Sequence, residues 1–162
     1  MNIEPLFELQ YELDGVIAKN LKLEHVFNAV EYVDKRIFAL KTEIAEFANE
    51  VGWFKYWKQS HVIDRDKTLE ELADVIHFFL SVGISRKYRF VKAIQPEGWD
   101  KVPLEHLFQY LMNNNFESSG SWLNGFEQLM CIGLKLGYTE EEMIAAYKVK
   151  RQKNFLRQAS GY

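Results

Sequence analysis

Proline occurs only at Pro5, Pro96 and Pro103. An interior proline breaks a helix, so long stretches between these positions stay open to helix. Apolar residues use that freedom at helical spacing. Leu6, Leu9, Leu13 and Ile17 predict a first helix from about Pro5 to Lys19. Val26, Val30, Val33, Ile37, Leu40, Ile44 and Phe47 predict a long second helix, from about Glu24 to Val51. Leu69, Leu72, Ile76 and Phe79 predict a third, from about Asp66 to Ile84. The polar stretch Lys58–Asp66 reads as the loop between them.

Further along, Arg86–Ile94 is expected to add a short basic helix, and Gln95–Val102 a loop around Pro96, Gly98 and Trp99. A short helix is expected after Pro103. Asn113–Asn115 and Ser118–Ser121 punctuate the chain. Leu123, Phe126, Met130, Leu134 and Leu136 predict a helix ending near Gly137. Thr139 and Glu142 have capping-box spacing and open a last helix. No alternation with period two competes. The fold class is therefore all-α, and no linker or repeat divides residues 1–162, so a single domain is expected.

Bulk properties narrow the function classes. Apolar residues are 48% of the chain, ample for a core. The net charge is −3 with no long basic run, which argues against nucleic-acid binding. Cys131 stands alone, so an internal disulfide is excluded and a reducing compartment expected. The first residues lack the build of a signal peptide, and no apolar run approaches a membrane span. A cytoplasmic protein without membrane contact is the expectation.

Two acidic pairs carry the chemistry: Glu43-Ile-Ala-Glu46 and Glu71-Leu-Ala-Asp74. Residues at i and i+3 share a helix face. One such pair is commonly a solvated face. Two pairs on consecutive long helices are different, because antiparallel packing would make four carboxylates converge. That cluster repels itself unless cations enter. An all-oxygen donor set suits Mg²⁺, which commonly works with substrate phosphates. Phosphate chemistry on a nucleotide is the implied direction.

Two other stretches fit it. Trp53-Phe54-Lys55-Tyr56-Trp57-Lys58 offers aromatic faces for a base and lysines for phosphate; core packing at a helix end is the competing reading for at least two of these rings. Tyr147, Lys150, Asn154 and Arg157 share one face of the last helix and suit phosphates and sugar; a basic helix C-terminus is the competing reading.

With these residues in place the sequence resembles the dimeric, all-α dUTP diphosphatases (dUTPases) of bacteria and phages. They belong to the all-α NTP pyrophosphatase superfamily, with the MazG-like enzymes. Glu43, Glu46, Glu71 and Asp74 match the superfamily's E-x-x-E and E-x-x-D. Gln10-x-x-Leu13-Asp14, Ala48-Asn49-Glu50, Phe54-Lys55-Tyr56-Trp57 and Asp74-x-x-His77-Phe78 resemble further family segments. So does the close, Tyr147-x-x-Lys150-x-x-x-Asn154-x-x-Arg157-Gln158-x-x-Gly161-Tyr162. The matches run in order through nearly the whole chain.

The resemblance implies a helical bundle whose long antiparallel helices carry the acidic pairs. It implies Mg²⁺-dependent hydrolysis of dUTP, and of dUDP, to dUMP, with attack at the β-phosphorus. Glu43, Glu46, Glu71 and Asp74 would hold the metal. Gln10 would read the uracil edge, Asn154 the base or sugar, and Lys55, Lys150 and Arg157 the phosphates. Asn49 would join the substrate contacts, and Trp53, Phe54 or Trp57 would stack on the base. His77 would touch the sugar, or else simply pack. A homodimer with sites near the subunit interface is implied. Val51-Gly52-Trp53 departs from the pattern, and Arg86–Ser121 matches no motif. The competing readings are an all-α pyrophosphatase for dCTP or a damaged nucleotide, and a non-catalytic helical nucleotide-binding module.

Overall fold

The structure, a computed structural model, describes residues 1–23 and 30–161. Helix α1 spans Glu4–Asn20, α2 Val30–Val51, α3 Arg65–Ser85, α4 Leu104–Asn113, α5 Ser119–Lys135 and α6 Glu140–Ala159. The part of the second helix expected from Glu24, including Val26, lies outside the described residues, as does Tyr162. Among the described residues there is no strand, only one isolated bridge between Asn2 and Ala93. The all-α expectation holds.

Helix α3 is the central member. Its buried residues include Leu72, Val75, Ile76, His77, Phe79, Leu80 and Val82, which go around the axis rather than along one stripe. A helix apolar on all sides must be surrounded, and α3 touches α1, α2, α5 and α6. Asp64 caps its start, its side chain accepting from Lys67 N at 3.2 Å. Helix α5 approaches closely at Gly83. A Cβ there would lie 2.8 Å from Trp122 Cζ2 and 2.9 Å from Phe7 Cε1. Trp122 is fully buried and donates its indole N–H to the Phe79 carbonyl at 2.9 Å.

Helices α2 and α3 run antiparallel. Arg36, early in α2, donates to Ser85 Oγ at the end of α3 at 2.8 Å, while Glu46, late in α2, meets Glu71, early in α3. The register therefore puts the two acidic pairs opposite each other. Helix α6 closes the bundle over α1 and α3. Its start is the expected reciprocal cap: Glu142 N donates to Thr139 Oγ1 at 3.2 Å and Thr139 N to Glu142 Oε2 at 2.8 Å. Ser118 and Ser121 form a similar box, so Ser118–Ser121 opens α5 rather than interrupting the chain.

One expected element is absent. Arg86–Ile94 is not a helix. Lys87 has φ 62°, which turns the chain out of α3. The segment then runs back along the N-terminus. Ile3 N donates to the Lys92 carbonyl at 3.0 Å and Ile94 N to the Met1 carbonyl at 2.9 Å. Burial of Tyr88 and Ile94 outweighs local helix propensity there. Within the expected loop 95–102, Pro96–Trp99 makes one 3₁₀ turn.

Candidate active site

Glu43 and Glu46 lie one turn apart on α2, and α3 brings Glu71 against them. One carboxylate oxygen from each lies within 4.8 Å of the others. Their environment opposes three negative charges. Burial, then the charges of Asp74, Glu46 and Glu71, pushes the Glu43 carboxyl up to about 7. Burial and Asp74 raise Glu71 as well. Hard oxygen donors at this spacing could hold a divalent cation, which would remove the repulsion.

Asp74 was expected in the same group and is placed differently. Its Oδ2 lies 2.5 Å from Lys150 Nζ of α6. Lys150 also reaches Glu70 Oε1 at 3.1 Å, and Lys153 meets the same oxygen at 3.0 Å. Burial raises the Asp74 carboxyl, and the Lys150 ammonium pulls the other way. Three carboxylates thus converge, and the fourth stands beside them paired to a lysine.

Next to this cluster is a cavity of about 350 Å³ between α1, α2, α3 and α6. Asp74 lines it, so cavity and acidic cluster share a wall. Apolar walls come from Leu13, Ile17, Ala39 and Phe78. Gln10, Asp14, His77 and Ser81 give it a buried polar side. His77 Nδ1 lies 2.7 Å from Gln10 Oε1 and its Nε2 3.2 Å from the Tyr147 carbonyl, and the Tyr147 hydroxyl faces Gln10 Oε1 at 3.2 Å and the Leu6 carbonyl at 3.3 Å. Gln10 Nε2 donates to Asp14 Oδ1 at 2.8 Å, and Ser81 Oγ donates to Asp14 Oδ2 at 2.8 Å. Burial drives the His77 imidazolium pKa down to about 3, so the ring is neutral. Burial raises Asp14, against the hydrogen bonds of Gln10 and Ser81 and the charge of Arg36.

The chain of bonds decides what Gln10 can offer. A carbonyl oxygen has two lone pairs and an amide nitrogen two hydrogens. Asp14 takes one hydrogen, while the one N–H of neutral His77 is shared between Gln10 Oε1 and the Tyr147 carbonyl and the one O–H of Tyr147 between Gln10 Oε1 and the Leu6 carbonyl. A single N–H remains for anything in the cavity.

The other expected residues divide. Asn154 lines the cavity. Arg157 is exposed, with Nη1 3.5 Å from Asn154 Oδ1, and its charge acts on Asp74. Asn49, Trp53, Lys55 and Trp57 do not line it. Helix α2 ends at Val51, and Gly52 at φ 66° turns the chain away. Lys55 Nζ bonds the Asn49 carbonyl at 2.7 Å. Trp53 stacks on the buried Phe108 at 6.4 Å, and the rest of the run packs against itself: Trp53 meets Phe54 at 5.9 Å, and Phe54 meets Trp57 at 6.0 Å. Of the two or more rings expected to pack on the core, Trp53 does so, through Phe108. Trp53 and Phe54 are just over a third exposed, and past the turn at Gly52 Tyr56 and Trp57 lie open to solvent.

Sequence reading passed over Asp14, Ser81, Glu70 and Arg36 as site groups. A signal existed for Asp14. Gln10 and Asp14, at i and i+4, fall on the stripe of Leu6 and Leu13, and polar residues on an apolar stripe mark a buried network.

The fold and the cluster together define a class: a helical bundle built around a carboxylate-rich site beside a nucleoside-sized cavity. Residues 2–162 match the family model described as dUTPase, so this chain belongs to the dUTPase family and is a dUTP diphosphatase, hydrolysing dUTP. A search of the curated proteins finds no match. Among the described residues no helix is long and apolar enough to cross a membrane.

Proposed function

We propose that the chain hydrolyses dUTP, and also dUDP, to dUMP with Mg²⁺, acting as a single-domain cytoplasmic homodimer that needs neither nucleic acid nor membrane. The observation that carries the reading is the approach of Glu43, Glu46 and Glu71 oxygens to within 4.8 Å, beside a cavity that Asp74 also lines. Glu43, Glu46, Glu71 and Asp74 would hold Mg²⁺. Once bound, the metal supplies the positive charge that offsets the polyphosphate in the transition state. The residual carboxylate oxygens of the cluster orient the attacking water at the β-phosphorus and accept its proton. Lys150 and Arg157 take the phosphate charge at the α6 edge, and Lys55 joins them if its loop closes over the nucleotide with Asn49, Trp53 and Trp57.

The cavity takes the nucleoside, with Asn154 at its α6 wall and His77 holding Gln10 from beneath. Gln10 presents the amide N–H that Asp14 leaves over. Such a group pairs with the C4 carbonyl of uracil and meets a like donor in the amino group of cytosine. Unpaired donors in a buried site reject the wrong base strongly. Exposed Phe38, Tyr56, Trp57 and Phe90 support a subunit interface.

The test is phosphate and pyrophosphate release from dUTP, dUDP, dCTP, dTTP and UTP, each with and without Mg²⁺. Mg²⁺-dependent turnover confined to dUTP and dUDP is expected. Equal turnover of dCTP would reject the uracil-reading role of Gln10. Turnover in the presence of chelator would reject the metal site.

A further inference from the structure

Lys150 has only 9% of its surface exposed. Burying an ammonium is costly unless anions meet it. Two do: Asp74 Oδ2 at 2.5 Å and Glu70 Oε1 at 3.1 Å. Asp74 is also the one residue of the two acidic pairs outside the three-carboxylate group. These are one fact seen from two sides. The carboxylate that the group lacks is the one the lysine holds.

Lys150 therefore contributes a cation to the acidic cluster from within the chain. Its charge acts on Glu43 and Glu71 as well as on Asp74. A divalent ion arriving without nucleotide meets three carboxylates, a fourth already paired, and an ammonium nearby that repels it. A polyphosphate changes this. It offers Lys150 several anionic oxygens, and the flexible lysine stem lets the ammonium move to them.

We propose that Lys150 is a built-in counter-cation that competes with the metal for Asp74, so that metal and polyphosphate bind cooperatively: phosphate draws the ammonium away and leaves Asp74 to complete the metal's ligands. The proposal rests on the metal-dependent reading of this site. It makes the nucleotide-free protein a weak metal binder and ties assembly of the full ligand set to the presence of substrate. Linkage makes the effect reciprocal: the metal tightens polyphosphate binding by the same factor.

The experiment is a titration of the full chain with Mn²⁺, read by the electron paramagnetic resonance of free Mn²⁺, with and without a non-hydrolysable dUTP analogue. The proteins are wild type, Lys150→Met and Lys150→Arg. Lys150→Met is expected to bind Mn²⁺ alone on the order of tenfold more tightly than wild type, and to gain less from the analogue. Lys150→Arg, which keeps the charge, is expected to resemble wild type. If Lys150→Met does not fold, Lys150→Gln, whose amide can still bond Asp74, serves in its place. Mn²⁺ affinity of the neutral variant equal to or weaker than wild type overturns the proposal and leaves the metal site standing. No Mn²⁺ binding to wild type even with the analogue overturns the metal reading itself.

Discussion

Glu43→Gln should make the metal-free protein more stable at pH 8. The Glu43 carboxyl is raised from 4.5 to about 7, chiefly by burial and then by Asp74, Glu46 and Glu71. Between those two values the folded chain keeps a proton that the unfolded chain has released. Stability therefore falls as pH rises through this window, is fully present below about 4.5, and is lost above about 7. At about 1.4 kcal/mol per pH unit the full gap would amount to roughly 3 kcal/mol. Glu43 is only half-buried, and solvent screening reduces the figure to about 1–2 kcal/mol. For a chain of this length that is about 3–6 °C in melting temperature. Glutamine is nearly isosteric and uncharged at every pH. The assay is thermal melting in chelator at pH 5 and pH 8, wild type against variant. The variant should melt only slightly higher than wild type at pH 5 and clearly higher at pH 8. Glu71 and Asp74 are raised too, chiefly by burial, so the wild-type slope is shared and only the difference reports Glu43. A variant that melts no higher than wild type at pH 8 would refute the claim that like charges strain this cluster. With Mg²⁺ present the order should reverse, since the variant lacks a carboxylate proposed to hold the metal.

Other expectations follow from the packing and the buried network. Gly83→Ala should cost about 1–3 kcal/mol in urea unfolding, because the new methyl meets the buried Trp122 and Phe7 rings; a neutral result would mean α5 can move. Ser81→Ala should cost about 1.5–3 kcal/mol at neutral pH by leaving one oxygen of the buried Asp14 without its donor; unchanged unfolding would remove Ser81 from the network. Gln10→Ala should lower kcat/KM for dUTP by about 5- to 150-fold with dCTP little changed, since a lost buried hydrogen-bonding group costs about 1–3 kcal/mol; an equal drop for both nucleotides would show that Gln10 only supports the fold.

Much of this protein is written locally. Helical period, the scarcity of proline, and caps such as Thr139–Glu142 depend on residues within a turn or two of each other. That is why α1, α2, α3 and α5 end close to where the sequence predicts, and α4 and α6 start where it does. The acidic pairs are local for the same reason: a spacing of three puts Glu43 with Glu46, and Glu71 with Asp74, whatever surrounds them. What one helix presents to another is not local. The register of α2 on α3 sets Glu43 and Glu46 opposite Glu71, and the docking of α6 gives Asp74 to Lys150. The same docking closes the Gln10–His77–Tyr147 bonds, and α3 supplies Ser81 to Asp14. The turn at Gly52 sends Tyr56 and Trp57 outward, and pairing with the N-terminus keeps 86–94 from becoming a helix. Each of these outcomes balances desolvation against partners that are distant in the chain. Sequence by itself determined the helices and which side chains ride on each face; only the tertiary structure decided which faces meet, and therefore which charges are buried, paired or left for a ligand.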